Sequence, residues 1–203
     1  MPRLDQSARE SAPDHAAPAH HQDPPARRRL RNVLLRALGS GSLASALSSI
    51  AVSAWSRGVA GSVPAGSNAT SQWAWGRPAR HVDGWSLRHT LLGYAIHHAS
   101  SVFWATGYEA WCARSPRRPL AKAATVAALA YVVDYHVVPR RLSPGFENRV
   151  SAPGMVCVYG TFALGLALVR LVGGARHRSG AARPPGRAVL GQPRQHAQQQ
   201  RRG

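Results

Sequence analysis

Four apolar segments, parted by short arginine-rich connections, constrain this chain more than any other feature. They lie at about 33–55, 88–112, 119–138 and 152–172. A helix needs about 20 predominantly apolar residues to cross the hydrocarbon core of a bilayer. Lipid offers the backbone no hydrogen-bond partners, so each crossing segment has to satisfy its own amides as a helix. The expected fold is all-α: a polytopic membrane protein, built as a four-helix transmembrane bundle with disordered termini. The fourth segment is the cleanest, with Arg170 as its only charge. The first is the weakest, because Gly and Ser run through it.

The net charge of +18, from 26 basic and 8 acidic residues, raises nucleic acid as a partner. The arginines, however, sit in two tails and in the connections rather than on one contiguous element. That distribution fits a cytoplasmic arginine bias and contact with anionic lipid headgroups. The bilayer is the expected partner, and a basic nucleic-acid-binding protein is the less favoured alternative. Heavy use of Ala, Arg, Gly and Pro points to a GC-rich bacterial genome, and hence to the bacterial inner membrane. Fourteen basic residues flank the spans on the side of Arg27–Arg36, Arg114–Lys122 and Arg170–Arg187, against seven on the other side. The richer side should be cytoplasmic, which puts both termini inside.

Residues 1–32 and 173–203 are polar, rich in Pro or Arg, and aperiodic; they read as basic disordered tails. His15, His20 and His21 belong to such a tail. No apolar run opens the chain, so an ordinary cleaved signal peptide is not expected. The connection 56–87 holds Pro64, Gly66, Pro78 and Gly84, with Trp73, Trp75 and Trp85 suited to the headgroup level. A re-entrant or interfacial piece is expected there. Asn68-Ala69-Thr70 fits the three-residue glycosylation pattern. Cys112 and Cys157 form no CxxC motif, lie near opposite faces, and read as small buried side chains.

Gly41, Ser45, Ser49 and Ser53 recur every four residues and share one helix face. Small residues at this spacing let membrane helices approach closely. This is the expected helix-packing face, and a route to a homo-oligomer.

Ionisable groups at membrane depth are costly and tend to mark function. His97 and His98 stand mid-segment, but at 100° per residue they face different neighbours. His89, Gly93, His97, Ser100, Trp104 and Tyr108 fall on one stripe. Asp134 lies about 6 Å from Val138 along the third helix. With the second and third segments antiparallel, it comes opposite Gly93, flanked by His89 and His97. His136 points almost opposite to Asp134, and the two meet only if the helix frays before Pro139. The candidate cluster is therefore His89, His97 and Asp134, with His136 in second place. Its first reading is a structural lock, with Asp134 paired to His97, His89 or Arg141. Its alternatives are a metal or haem site and a proton or ion path. Glu109 is expected to pair with Arg114 or Lys122. No Walker loop, GxGxxG, GxSxG or HExxH is present, so no enzyme and no cofactor is expected.

The layout of residues 85–150 carries a resemblance. GYAIHHASSVFWATGYE, an alanine-rich helix and then YVVDYHVVPRRLSPGFE together resemble small, uncharacterised bacterial inner-membrane proteins of the domain-of-unknown-function type. The resemblance implies a membrane location and a helical fold; it supplies no catalytic residues.

Overall fold

The computed structural model describes residues 25–181, which hold helices, turns and loops and no strand. Six α-helices follow in order: α1 (Pro25–Ala60), α2 (Ala65–Thr70), α3 (Gln72–Trp75), α4 (Leu92–Arg114), α5 (Pro119–Val132) and α6 (Ala152–Ala181). The all-α expectation holds. Two of these helices are long and apolar enough to cross a membrane, at Pro25–Ala60 and Ala152–Gly173. The second and third expected spans miss that measure for different reasons. α4 carries His97, His98 and Glu109 in its body, and α5 has only 14 residues before its hydrogen-bond pattern changes.

α1 begins at Pro25, earlier than the expected tail boundary at residue 32. Pro is well suited to the first helical position, and Ala, Arg and Leu sustain the helix. The 36 residues of α1 extend about 54 Å, longer than the roughly 30 Å of a hydrocarbon core. Residues 1–24 and 182–203, with His15, His20 and His21, lie outside the described residues.

α1 is the hub, packed antiparallel against both α4 and α6. Its register is set by glycines on close backbones. A Cβ on Gly41 would stand 2.8 Å from the Val102 Cα in α4, and one on Gly165 in α6 would stand 2.7 Å from the Ala44 amide nitrogen. Gly41 and Ser45 are thus covered inside the chain, whereas Ser49 and Ser53 are half-buried and line an outward groove with Ile50, Trp85 and Leu91. The expected small-residue face is divided: its first half serves packing between helices of one chain.

The interior is small and partly polar. Ala37, Ala44, Ala105, Ala127, Ala163 and Ala167 are buried together with Ser40, Ser45, Ser48 and Ser56. Leu166, Phe162 and Phe146 are buried with them, but many large apolar side chains face outward: Leu35 is 60% exposed, Ile50 66%, Phe103 70% and Val156 76%.

The 56–87 connection folds back on the bundle. α2 and the start of α3 bury Ala65, Asn68, Ala69, Ser71 and Gln72, and a Cβ on Gly93 would meet the Ser67 carbonyl carbon at 2.9 Å. Asn68 is fully buried. Its amide donates to the carbonyls of Val82 and Gly84, each at 2.9 Å, and its oxygen accepts from Thr90 at 2.6 Å. The glycosylation reading fails on that burial. Cys112 is buried as expected, but Cys157 is exposed, and both are free thiols.

Candidate functional site

Two π turns hold most of the candidate polar residues. One, Leu87–Leu91, opens α4 and contains His89. The other, Val133–Val137, extends α5 and contains Asp134 and His136. In the second, the Val138 amide donates back five residues to Val133 at 3.0 Å. Val138 is then extended, as the residue before Pro139 has to be. Wide turns of this kind recur at functional sites. They offset side chains from the faces that regular α-helical spacing assigns.

His97 on α4 is hydrogen-bonded through Nε2 to Ser48 Oγ on α1 at 2.9 Å. The Ser48 hydroxyl also lies 2.7 Å from the Ala44 carbonyl. A hydroxyl has one proton to give. With that proton on the carbonyl, the imidazole donates from Nε2. His89 repeats the arrangement: Ser71 Oγ gives its proton to the Asn68 carbonyl at 2.7 Å and lies 3.0 Å from His89 Nδ1. Each histidine is oriented by a serine that is itself tied to the preceding helical turn.

Asp134 accepts a hydrogen bond from Tyr159 on α6 at 2.7 Å. Among the described residues, no hydrogen bond or ion pair joins it to His89, His97 or Arg141, the expected partners. The π turn and the place of α6 between α1 and α5 direct the carboxylate to Tyr159 instead. His97 and Asp134 nevertheless line one cavity of about 50 Å³, with Ser100, Ser101, Trp104 and Thr70. A water occupies about 30 Å³ in the liquid, so the space between them is water-sized. Ser48, His97, Asp134 and Tyr159 thus form a polar seam across α1, α4, α5 and α6, with one small gap.

The remaining candidates lie apart. His89 makes an edge contact with Trp75, with ring centroids 6.4 Å apart, and His136 packs on Tyr131 at 5.8 Å. No group of three or more His, Cys, Asp or Glu that could hold a metal occurs among the described residues. The His89, His97 and Asp134 cluster is therefore reduced to a pair.

A second polar contact lies at the other end of the bundle. Glu109 on α4 is fully buried and paired with Arg170 on α6, which donates from Nε at 2.9 Å and again from Nη2. The expected partners Arg114 and Lys122 are elsewhere: Lys122 bonds the Ser115 carbonyl and sits over the Trp111 ring. Among the described residues, Glu109 Oε1 and the buried Tyr108 hydroxyl have no hydrogen-bond partner. The sequence held a usable signal for this pair. Glu109 is the only acid in 88–112 and Arg170 the only charge in 152–172.

The loops at the opposite end are joined by charge. Arg80 pairs with Glu147 at 3.4 Å, and Arg149 with Asp83 at 2.8 Å. Gln72 donates to the Ser143 carbonyl at 2.6 Å and accepts from Arg80. Residues 62–84 and 139–149 thereby form one cap over the bundle. The chain matches no protein-family model, no curated protein and no solved structure.

Proposed function

We propose that the chain is a multi-pass protein of the bacterial inner membrane, with four spans, both termini cytoplasmic, and a structural or accessory role. The observation that carries this reading is the inverted burial. Ser and Ala make up most of the inside, with Leu166, Phe162 and a few Val among them, while Leu35, Ile50, Phe103, Val156 and Leu164 face out along α1, α4 and α6. Monomers dissolved in water rarely expose this many large apolar side chains together, and lipid tails solvate them. Small residues and interhelical hydrogen bonds are then the means of association. On this reading, the π turns complete the second and third spans, and the polar seam ties the second span to the first and the third to the fourth.

Single cysteines, placed in a chain lacking Cys112 and Cys157, test the topology. Gly84 and Arg117 are exposed and lie in connections on opposite sides of the four-span arrangement. A membrane-impermeant maleimide should label Gly84→Cys in intact cells, and Arg117→Cys only after permeabilisation. Labelling of both from the same side would refute the four-span arrangement.

A second reading, transfer of a proton or ion through His97 and Asp134, is favoured by their shared water-sized cavity. Proteoliposomes decide it: His97→Ala or Asp134→Ala should change proton flux, and unchanged flux in both removes it. A metal or haem role predicts a stoichiometric metal or a Soret band in the detergent-purified protein, and absence of both removes that role.

A further inference from the structure

We propose that an arginine-walled cavity at the α1 start is a binding site for the phosphate of an anionic phospholipid headgroup. The proposal rests on the membrane reading above and deepens it by naming a site and a ligand.

The cavity encloses about 500 Å³ between the first turns of α1, the end of α4 and α6. Arg28, Arg29 and Arg36 line it from α1, Arg170 from α6, and Asn32 adds a neutral amide. Among the described residues, no acidic side chain is part of the wall. The nearby carboxylate of Glu109 is already bonded to Arg170. Arg28, Arg29 and Arg36 have no ion-pair partner among the described residues. Like charges held around one concave space raise each other's energy. A phosphate relieves this repulsion, and guanidinium groups bind it with two parallel hydrogen bonds.

The surroundings favour a lipid over a free phosphate. Leu30, Leu34, Leu35 and Leu38 lie on the same helix between and beside the arginines, and all four are largely exposed. Of these, Leu35 follows Arg28 by two helical turns and adjoins its face, so acyl chains leaving a headgroup seated among the arginines would pass along it. The cavity is also at the basic end of the bundle, where the cytoplasmic leaflet is negatively charged. Basic pockets between helices on that side suit such headgroups.

Native mass spectrometry of the full chain, released from nonionic detergent with added phosphatidylglycerol or phosphatidylcholine, tests the site. The triple variant Arg28→Gln, Arg29→Gln, Arg36→Gln is compared with a charge-matched control, Arg57→Gln, Arg77→Gln, Arg141→Gln. All six positions are exposed, so neither set touches the core. The native chain should retain one phosphatidylglycerol with at least about tenfold preference over phosphatidylcholine. The pocket triple should lose that preference and the control should keep it. Equal loss in both triples would show diffuse attraction and overturn the site. Displacement of the lipid by equimolar glycerol 3-phosphate would assign the pocket to a soluble phosphate, and displacement by a short oligonucleotide of equal phosphate content would assign it to nucleic acid; either overturns the lipid. Alkaline carbonate extraction separates the two levels. A chain retained in membranes without lipid preference refutes this site alone, whereas a chain released by carbonate refutes the membrane reading as well.

Discussion

Removing either half of the Glu109–Arg170 pair should be costly, and the two losses should be unequal. Glu109 is fully buried, with one carboxylate oxygen taking both guanidinium bonds and the other without a partner. The Arg170 side chain keeps 16% of its surface exposed, and its long stem lets the charge turn toward the surface. Arg170→Met therefore strands a carboxylate that has nowhere to go, and breaking a buried pair in this way costs about 3–5 kcal/mol. Glu109→Gln leaves an amide oxygen as acceptor and a cation with an escape route. Its cost should be nearer that of a hydrogen bond to a charged group, about 1.5–3 kcal/mol. The double variant Glu109→Leu, Arg170→Leu removes both charges and should regain most of the Arg170→Met loss. Denaturant titration in mixed micelles, followed by tryptophan fluorescence, measures all three. Equal costs for the two single changes, a reversed order, or a double variant as damaged as Arg170→Met would refute the argument.

The helices were legible because apolar segment length and charge placement are local properties. The π turns were not. They arise from the extended residue that Pro139 imposes and from the docking of α2 on α4 at Gly93, and neither shows as a period in the sequence. Facial arithmetic at 100° per residue therefore placed Asp134 toward His97, whereas the wider turn gives it to Tyr159. His97 and Asp134 still line one cavity, since depth along a helix changes little when its winding does. Glu109–Arg170 was missed for a different reason. Proximity in sequence favours Arg114 or Lys122, but the second and fourth segments run parallel and bring Glu109 and Arg170 to the same end. The folding back of residues 65–75 depends on Asn68 gathering Val82, Gly84 and Thr90, contacts that no spacing rule announces. Ser48 shows the same limit: its value lies in a partner 49 residues away.

Four further changes test the packing and the seam. Tyr159→Phe removes the donor to Asp134 while keeping the ring. It should cost about 0.6 kcal/mol, the average for interhelical hydrogen bonds in membranes, and a loss above about 2 kcal/mol would mean that the seam does more than pair two helices. Asn68→Ala leaves two loop carbonyls and the Thr90 hydroxyl without their partner. Proteolysis within 76–86 should accelerate at least tenfold with the helices intact, and an unchanged rate would show that the loop is held without it. Two glycine substitutions separate close packing from open surface. Gly107 faces open space with nothing within 4 Å of a new Cβ, so Gly107→Ala should raise stability by about 0.5–1 kcal/mol through backbone entropy alone. At Gly165 the same methyl would meet the Ala44 amide nitrogen at 2.7 Å and the Leu43 carbonyl carbon at 3.0 Å. Those are backbone atoms of the hub helix, so no rotamer change relieves the clash and α6 has to move away from α1. Overpacking of this kind costs about 1–3 kcal/mol, and the separation would also weaken the contact of Gly154 with Trp55, which lies in the same register. Thermal unfolding in detergent reads both variants. A Gly165→Ala variant as stable as Gly107→Ala would mean that α1 and α6 do not meet at this register.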